Sequence, residues 1–256
     1  MLGVSGDRMK KLLSLVAKSV IQSVDADKPT SVSAIIVAAG NSTRMGGVSK
    51  QLIDICGLPV IVRTAMAFES CAQIKEIIIV AKSDQISVTD ELMRSHNITK
   101  FKCSVVGGDT RSESVKHGFE ATDPGIAYVA IHDAARCLIT PDEINNVIGC
   151  AKRFGAAIAA ARSVDTLKLS SDGETIDGTI DRNTVWRAQT PQVFSRAVYE
   201  TALYAQKNNA TATDDAMLCE NLGIKVHIAE CTGENLKITT PRDVAIAESI
   251  INGRTK

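Results

Sequence analysis

From Ser33 onward, apolar runs of strand length alternate with stretches whose apolar residues return every three or four positions. The runs predict strands near 34–39, 76–81, 103–106, 128–132, 156–161 and 225–229. Between and after them the helical spacing predicts helices near 59–70, 84–95, 111–121, 141–154, 195–206 and 213–222. Several runs, such as Ile77-Ile78-Ile79-Val80, are apolar at every position rather than at alternate ones. A strand of that kind is covered on both faces, as in a parallel sheet between two helix layers. Thr140-Pro141 and Thr240-Pro241 each place a capping hydroxyl before a proline suited to a first helical turn, and the second opens a last helix ending near Ile251. The alternation implies right-handed βαβ crossovers and an α/β fold with a doubly wound, mostly parallel sheet.

Residues 163–187 depart from this rhythm. Thr166-Leu167-Lys168-Leu169 and Thr175-Ile176-Asp177-Gly178-Thr179-Ile180 flank a turn containing Asp172-Gly173, the signature of a β-hairpin. So polar a hairpin buries little by itself, and is expected to project and pack on another subunit. Residues 1–31 read as an extension: 9–24 have the spacing of a short amphipathic helix and 25–30 of a linker. Residues 32–256 form the expected main domain.

The bulk composition narrows the class. Lys plus Arg equals Asp plus Glu at 29 each, so no net field draws the chain to nucleic acid or to anionic lipid. No apolar run reaches the length of a bilayer span, and the apolar stretch after Lys10-Lys11 is broken by Lys18, too soon for a signal peptide. The seven cysteines lie scattered, none spaced as a metal-ligand pair, which reads as reduced thiols in a cytoplasmic protein.

Candidate chemistry falls at the predicted strand ends. The first strand runs into Ala38-Ala39-Gly40-Asn41-Ser42-Thr43-Arg44-Met45-Gly46-Gly47-Val48-Ser49-Lys50. Small residues let backbone N–H groups approach phosphates, and Arg44 and Lys50 add fixed positive charge. The spacing matches neither the dinucleotide fingerprint nor the Walker loop, which lowers a dehydrogenase and a P-loop ATPase. Gly107-Gly108-Asp109-Thr110-Arg111-Ser112-Glu113-Ser114 follows the third strand, where Asp109 reads as a ligand contact or as a helix N-cap, and Ser114 as a ligand contact or as a hydroxyl on the helix surface. His132-Asp133-Ala134-Ala135-Arg136 follows the fourth, where Asp133 reads as a hydroxyl or hydrated-metal contact or as half of a structural Asp–Arg pair. Lys237, in Glu234-Asn235-Leu236-Lys237-Ile238-Thr239, is read in a strand before the last helix cap.

These motifs, with Val164-Asp165-Thr166, Asp181-Arg182-Asn183, Gln189-Thr190-Pro191-Gln192 and Thr213-Asp214-Asp215, resemble in their order the 2-C-methyl-D-erythritol 4-phosphate cytidylyltransferases, from about Ser33 to Ile251. The resemblance implies a Rossmann-like nucleotidyltransferase that joins CTP and a sugar-alcohol phosphate with Mg²⁺, as a homodimer clasped through β-arms. It implies that Arg44, Lys50, Arg182 and Lys237 are catalytic. Ala38, Ala39, Gly40, Gly108, Asp109, Ser114 and Asp133 would bind CTP. Asp133, Arg136, Thr166, Arg182, Thr190, Thr213 and Lys237 would bind the second substrate, with Arg182 entering the neighbouring subunit's site. Mg²⁺ would be held mainly by triphosphate oxygens rather than by protein ligands. Ser42, Ser49 and Cys137 depart from the usual glycine, proline and proline. Ribitol-5-phosphate cytidylyltransferase, a guanylyl- or uridylyltransferase on the same scaffold, and a non-catalytic nucleotide-binding protein are the competing readings.

Overall fold

The computed structural model describes residues 31–40, 49–205 and 212–254. The expected helix at 9–24 and linker at 25–30, Ser42 and Arg44 lie outside the described residues. The chain begins with β1 (Val32–Val37), then a two-stranded ribbon of β2 (Asp54–Ile55) and β3 (Leu58–Pro59), and α1 (Val60–Glu69). It continues through β4 (Ile74–Ala81), α2 (Ile86–Ser95), β5 (Phe101–Val106), α3 (Arg111–Glu120), β6 (Tyr128–Asp133), α4 (Pro141–Phe154) and β7 (Ala156–Arg162). After a short ribbon of β8 (Lys168–Leu169) and β9 (Gly178–Thr179) come β10 (Trp186–Ser195), α5 (Arg196–Tyr204), α6 (Asp215–Glu220), β11 (His227–Glu230) and α7 (Pro241–Arg254).

Seven strands form the main sheet in the order β11-β7-β10-β6-β1-β4-β5. The β4–β1–β6, β4–β5 and β7–β11 pairings are parallel, as continuous apolar strands predict. Successive side chains of β1 divide between the two faces. Ala34 and Ile36 join α1, α2 and α4 in one core, and Ile35 joins α3, α5 and α6 in the other. A smaller cluster packs α7 and Ile238 over Ile55 and Val60.

One strand corrects the expectation. β10, central in the sheet, runs antiparallel between β6 and β7, whereas 186–194 carries no predicted strand. Gln189, Thr190, Pro191 and Gln192 interrupt its apolar pattern, and the register to β7 shifts between Ala188 and Gln192. The three polar side chains are nonetheless buried, because each finds a partner inside. Three smaller corrections follow. Lys237 lies in an irregular segment rather than a strand, docked by the Ile238 N–H on the Ala135 carbonyl. The N-cap of α3 is Thr110, not Asp109, closed by a reciprocal capping box with Glu113. Ser114 is buried rather than on the helix surface. Thr140 caps α4 in the expected way, with Pro141 in the first turn.

The hairpin between β7 and β10 forms. Ser163 N–H donates to Val185 O at its base, and β8 pairs antiparallel with β9. Its tip is organised by Asp172 Oδ1, which accepts from the N–H groups of Glu174 and Thr175, both at 2.8 Å. Gly173 supplies the positive φ of +77° that the turn requires. Val164, Leu169 and Ile176 stand 71%, 54% and 65% exposed.

Candidate active site

Parallel strands end together, so the loops leaving β1, β4, β5 and β6 converge at one edge of the sheet, where ligands of open α/β sheets bind. They enclose a cavity of about 500 Å³. Backbone forms one wall: Ala39 and Gly40 after β1, and Gly107, Gly108 and Asp109 after β5. The two loops approach so closely that a Cβ on Gly107 would meet the Ala39 Cβ at 2.4 Å and the Ser114 hydroxyl at 2.9 Å. The buried Ser114 hydroxyl accepts from Gly108 N–H at 3.1 Å, which sets the wall's curvature.

Charged side chains line the cavity beside it. Lys50, Arg111, Asp133 and Lys237 all face the cavity. Asp133 Oδ2 accepts from Lys237 Nζ at 2.7 Å, and its Oδ1 lies 3.5 Å from Arg111 Nε. Arg136 Nε sits 3.8 Å away. Burial alone would raise the Asp133 carboxyl, but Lys237, Arg111 and Arg136 together hold it well below the usual carboxylate range. Arg111 is itself anchored from behind, where its Nη1 donates to Asp215 Oδ2 at 2.7 Å. Asp215, at 2% exposure, also accepts from Tyr199 Oη at 2.8 Å, and its backbone N–H donates to Gln192 Oε1. The cavity charge is therefore the outer end of a chain running Asp215, Arg111, Asp133, Lys237.

Beneath Asp133 a second network fixes the backbone. Asp133 N–H donates to Thr190 Oγ1 at 3.0 Å, and that oxygen lies 3.1 Å from His132 Nδ1. His132 Nε2 is 3.2 Å from Arg136 O, a pure acceptor. Only the tautomer protonated at Nε2 satisfies all three contacts, with the Thr190 hydroxyl donating to Nδ1. Burial pushes the imidazole down to about 4, so it stays neutral.

Of the residues singled out in the sequence, Ala39, Gly40, Lys50, Gly108, Asp109, Ser114, Asp133 and Lys237 line one cavity. Ala38 is buried beneath it. Arg136 and Thr190 stand behind Asp133. Thr166 and Arg182 lie exposed on the hairpin, and Thr213 is exposed before α6; none of the three lines the cavity. Sequence reasoning assigned no role to Arg111, Gln51, Lys82 or Asp84, which do line it, or to Asp215 behind it. Arg111 carried one usable signal, its place in the first turn of a helix that opens directly from a glycine-rich strand end.

Known proteins of similar sequence and structure bear on this arrangement. A family model described as 2-C-methyl-D-erythritol 4-phosphate cytidylyltransferase matches residues 32–253. A protein of that name from Clostridium botulinum (strain Langeland) is 37% identical over 225 residues, covering 87% of this chain and 98% of its own. Another, from Endomicrobium trichonymphae, is 40% identical over 219 residues, covering 85% and 97%. The solved 4-diphosphocytidyl-2C-methyl-D-erythritol synthase from Anaerococcus prevotii superposes with a TM-score of 0.78 at 28% identity, covering 88% of this chain and 97% of its own. The Thermus thermophilus cytidylyltransferase gives 0.70 at 27% identity, covering 87% and 100%. With the matched span running from β1 to the last helix, the chain belongs to the 2-C-methyl-D-erythritol 4-phosphate cytidylyltransferase family.

Proposed function

We propose that the chain transfers the cytidylyl group of CTP to 2-C-methyl-D-erythritol 4-phosphate, releasing pyrophosphate. The observation that carries this reading is one cavity lined both by the closely approaching glycine-rich strand ends and by Lys50, Arg111 and Lys237. The backbone wall of Ala39, Gly40, Gly108 and Asp109, with Ser114 behind it, suits a flat base and a ribose. The cationic wall suits phosphates.

A phosphate oxygen of the sugar alcohol attacks the α-phosphorus. The bond from that phosphorus to the bridging oxygen breaks, and pyrophosphate leaves with the electron pair. Both reactants are anions, so the main obstacle is their repulsion, and fixed cations are the remedy. Lys50 and Lys237, with Arg44 from the glycine-rich loop, fill that role. The attacking oxygen is already ionised, so no general base is needed. Asp133 orients Lys237 through their 2.7 Å contact, and contacts the ribose or the second phosphate beside Arg136.

Magnesium is the proposed cation; when bound, it would supply positive charge that offsets the charge of the triphosphate. Among the described residues no group of three or more His, Cys, Asp or Glu is placed to hold a metal. Asp133 is engaged by its cations, so the site fits an ion carried on the triphosphate with few protein ligands.

The active unit is proposed to be a homodimer of the 32–256 domain, with the hairpin of 163–187 clasping a second copy. The exposed Val164, Leu169 and Ile176 support this reading, because they lack a core of their own. Thr166 and Arg182 would then serve the partner's cavity, and Thr213 would meet the sugar alcohol in its own. The proposed compartment is the cytoplasm. Seven free cysteines suit it, and no helix among the described residues is long and apolar enough to cross a membrane.

A pyrophosphate-release assay tests the reaction. CTP with methylerythritol phosphate should turn over, and UTP, GTP or ATP should not. Faster turnover with ribitol 5-phosphate would reassign the acceptor. Full turnover in excess EDTA would remove the divalent ion.

A further inference from the structure

Lys50 sits in a turn whose two flanking residues are tied down by side chains. Gln51, 3% exposed, donates from Nε2 to the Ala38 carbonyl at 2.6 Å, which docks the turn on the end of β1. Its remaining amide oxygen therefore faces Ser49, whose Oγ lies 3.0 Å away. The same hydroxyl lies 3.2 Å from the side-chain amide of Gln85, in the single 3-10 turn Ser83–Gln85 that follows β4. One hydroxyl proton cannot serve two carbonyl oxygens. With Gln51 fixed by Ala38, the arrangement closes when the Gln85 amide, whose two ends are alike in shape, presents its NH₂ to Ser49. The result is a directional string in which Gln85 donates to Ser49, Ser49 to Gln51, and Gln51 to Ala38.

The backbone is held at the same points. Leu52 N–H donates to Ser49 O at 3.0 Å, and Ile61 N–H to Gln51 O at 2.9 Å. Lys50 thus lines the cavity between two neighbours, Ser49 and Gln51, that are each fixed by side chain and backbone. A long, flexible lysine gains most from such a mount, because a cation held in place at the α-phosphate costs no reorganisation when charge develops.

We propose that Ser49, Gln51 and Gln85 are positioning residues that aim Lys50, so that a turn beyond the neighbouring strand sets the rate of nucleotidyl transfer. This rests on the reading of Lys50 as a phosphate-stabilising cation. Ser49→Ala and Gln85→Ala should each lower kcat about tenfold, the scale of one lost hydrogen bond near 1.4 kcal/mol, with KM for CTP little changed. Ser49→Thr keeps the hydroxyl and should retain most of the rate. The Ser49→Ala/Gln85→Ala double variant should be no slower than either single one, because both cut one string. In a Lys50→Ala background neither should lower the residual rate further.

Two results would overturn the proposal while leaving the reading of Lys50 intact. One is a wild-type kcat in Ser49→Ala and Gln85→Ala when Lys50→Ala is impaired. The other is an equal loss from Ser49→Ala with and without Lys50. A wild-type rate in Lys50→Ala itself would overturn both the proposal and the reading on which it rests. Thermal unfolding of each variant guards against a folding defect, and the half-buried Gln85 keeps the test open should Ser49→Ala fold poorly.

Discussion

The charged wall of the cavity and the hairpin arm are both rich in polar residues, yet they are held in opposite ways. In the wall, Asp133 and Asp215 are buried, and Arg111 and Lys237 reach them from distant parts of the same chain. In the arm, Asp172 organises a tight turn by accepting from its own neighbours, while Val164 and Ile176 face outward. The described residues of the wall are held by tertiary pairing within one chain. The arm is locally folded but leaves apolar surface that a second chain could cover. Polarity alone therefore distinguishes neither region; the sequence distance to the hydrogen-bond partner does.

The largest expected effect breaks the wall's chemistry without touching its fold. Lys50→Ala should lower kcat by on the order of a hundredfold or more, with the unfolding midpoint unchanged, as read by pyrophosphate release and denaturant titration. Next comes the anchor behind the wall. Asp215→Ala leaves the partly buried Arg111 with Asp133 as its remaining carboxylate, and should destabilise the chain by about 3 kcal/mol in equilibrium unfolding. Unchanged stability would mean that the Asp215–Arg111 contact does not hold the wall.

His132 offers a milder probe. Its folded value of about 4 lies below the unfolded value near 6.5, so the unfolded state binds more protons between them. The stability from its neutral form is present above about pH 6.5 and is lost as pH falls toward 4. Between pH 7 and pH 5 the loss should be on the order of 2 kcal/mol. An NMR titration should find the His132 ring still neutral at pH 5; protonation near pH 6.5 would refute the burial argument.

The arm's test moves activity between chains. Arg44→Ala and Arg182→Ala should each be nearly inactive alone. Mixed under exchange, about a quarter of all sites should recover if Arg182 acts across a two-fold dimer. No recovery after confirmed exchange would make the arm as self-contained as the wall.

Much of this was legible in the chain, and the exceptions share a cause. The parallel strands were readable because both of their faces are covered by helices, so Ile77 to Val80 are uniformly apolar. The glycine-rich loops were readable because backbone approach admits few residues, as the Gly107–Ala39 contact shows. β10 was not, because its buried Gln189, Thr190 and Gln192 look like a loop until their partners are known. Arg111 escaped for the same reason: its anchor is 104 residues away. The arm's hairpin was visible from its local turn, whereas its mate, if a second copy, is by nature absent from one sequence.

The insertion point of the arm has a consequence for how this family can vary. Its two ends leave the domain from Arg162 and Trp186, which are paired across neighbouring strands β7 and β10 of the central sheet. A segment that departs and returns through adjacent, bonded positions can be lengthened, shortened or exchanged for another without spreading the strands beneath it. On the reading that the arm pairs two copies, a graft made at 163 and 185 should carry that pairing from one relative to another, leaving Thr190 and Asp133 where they stand.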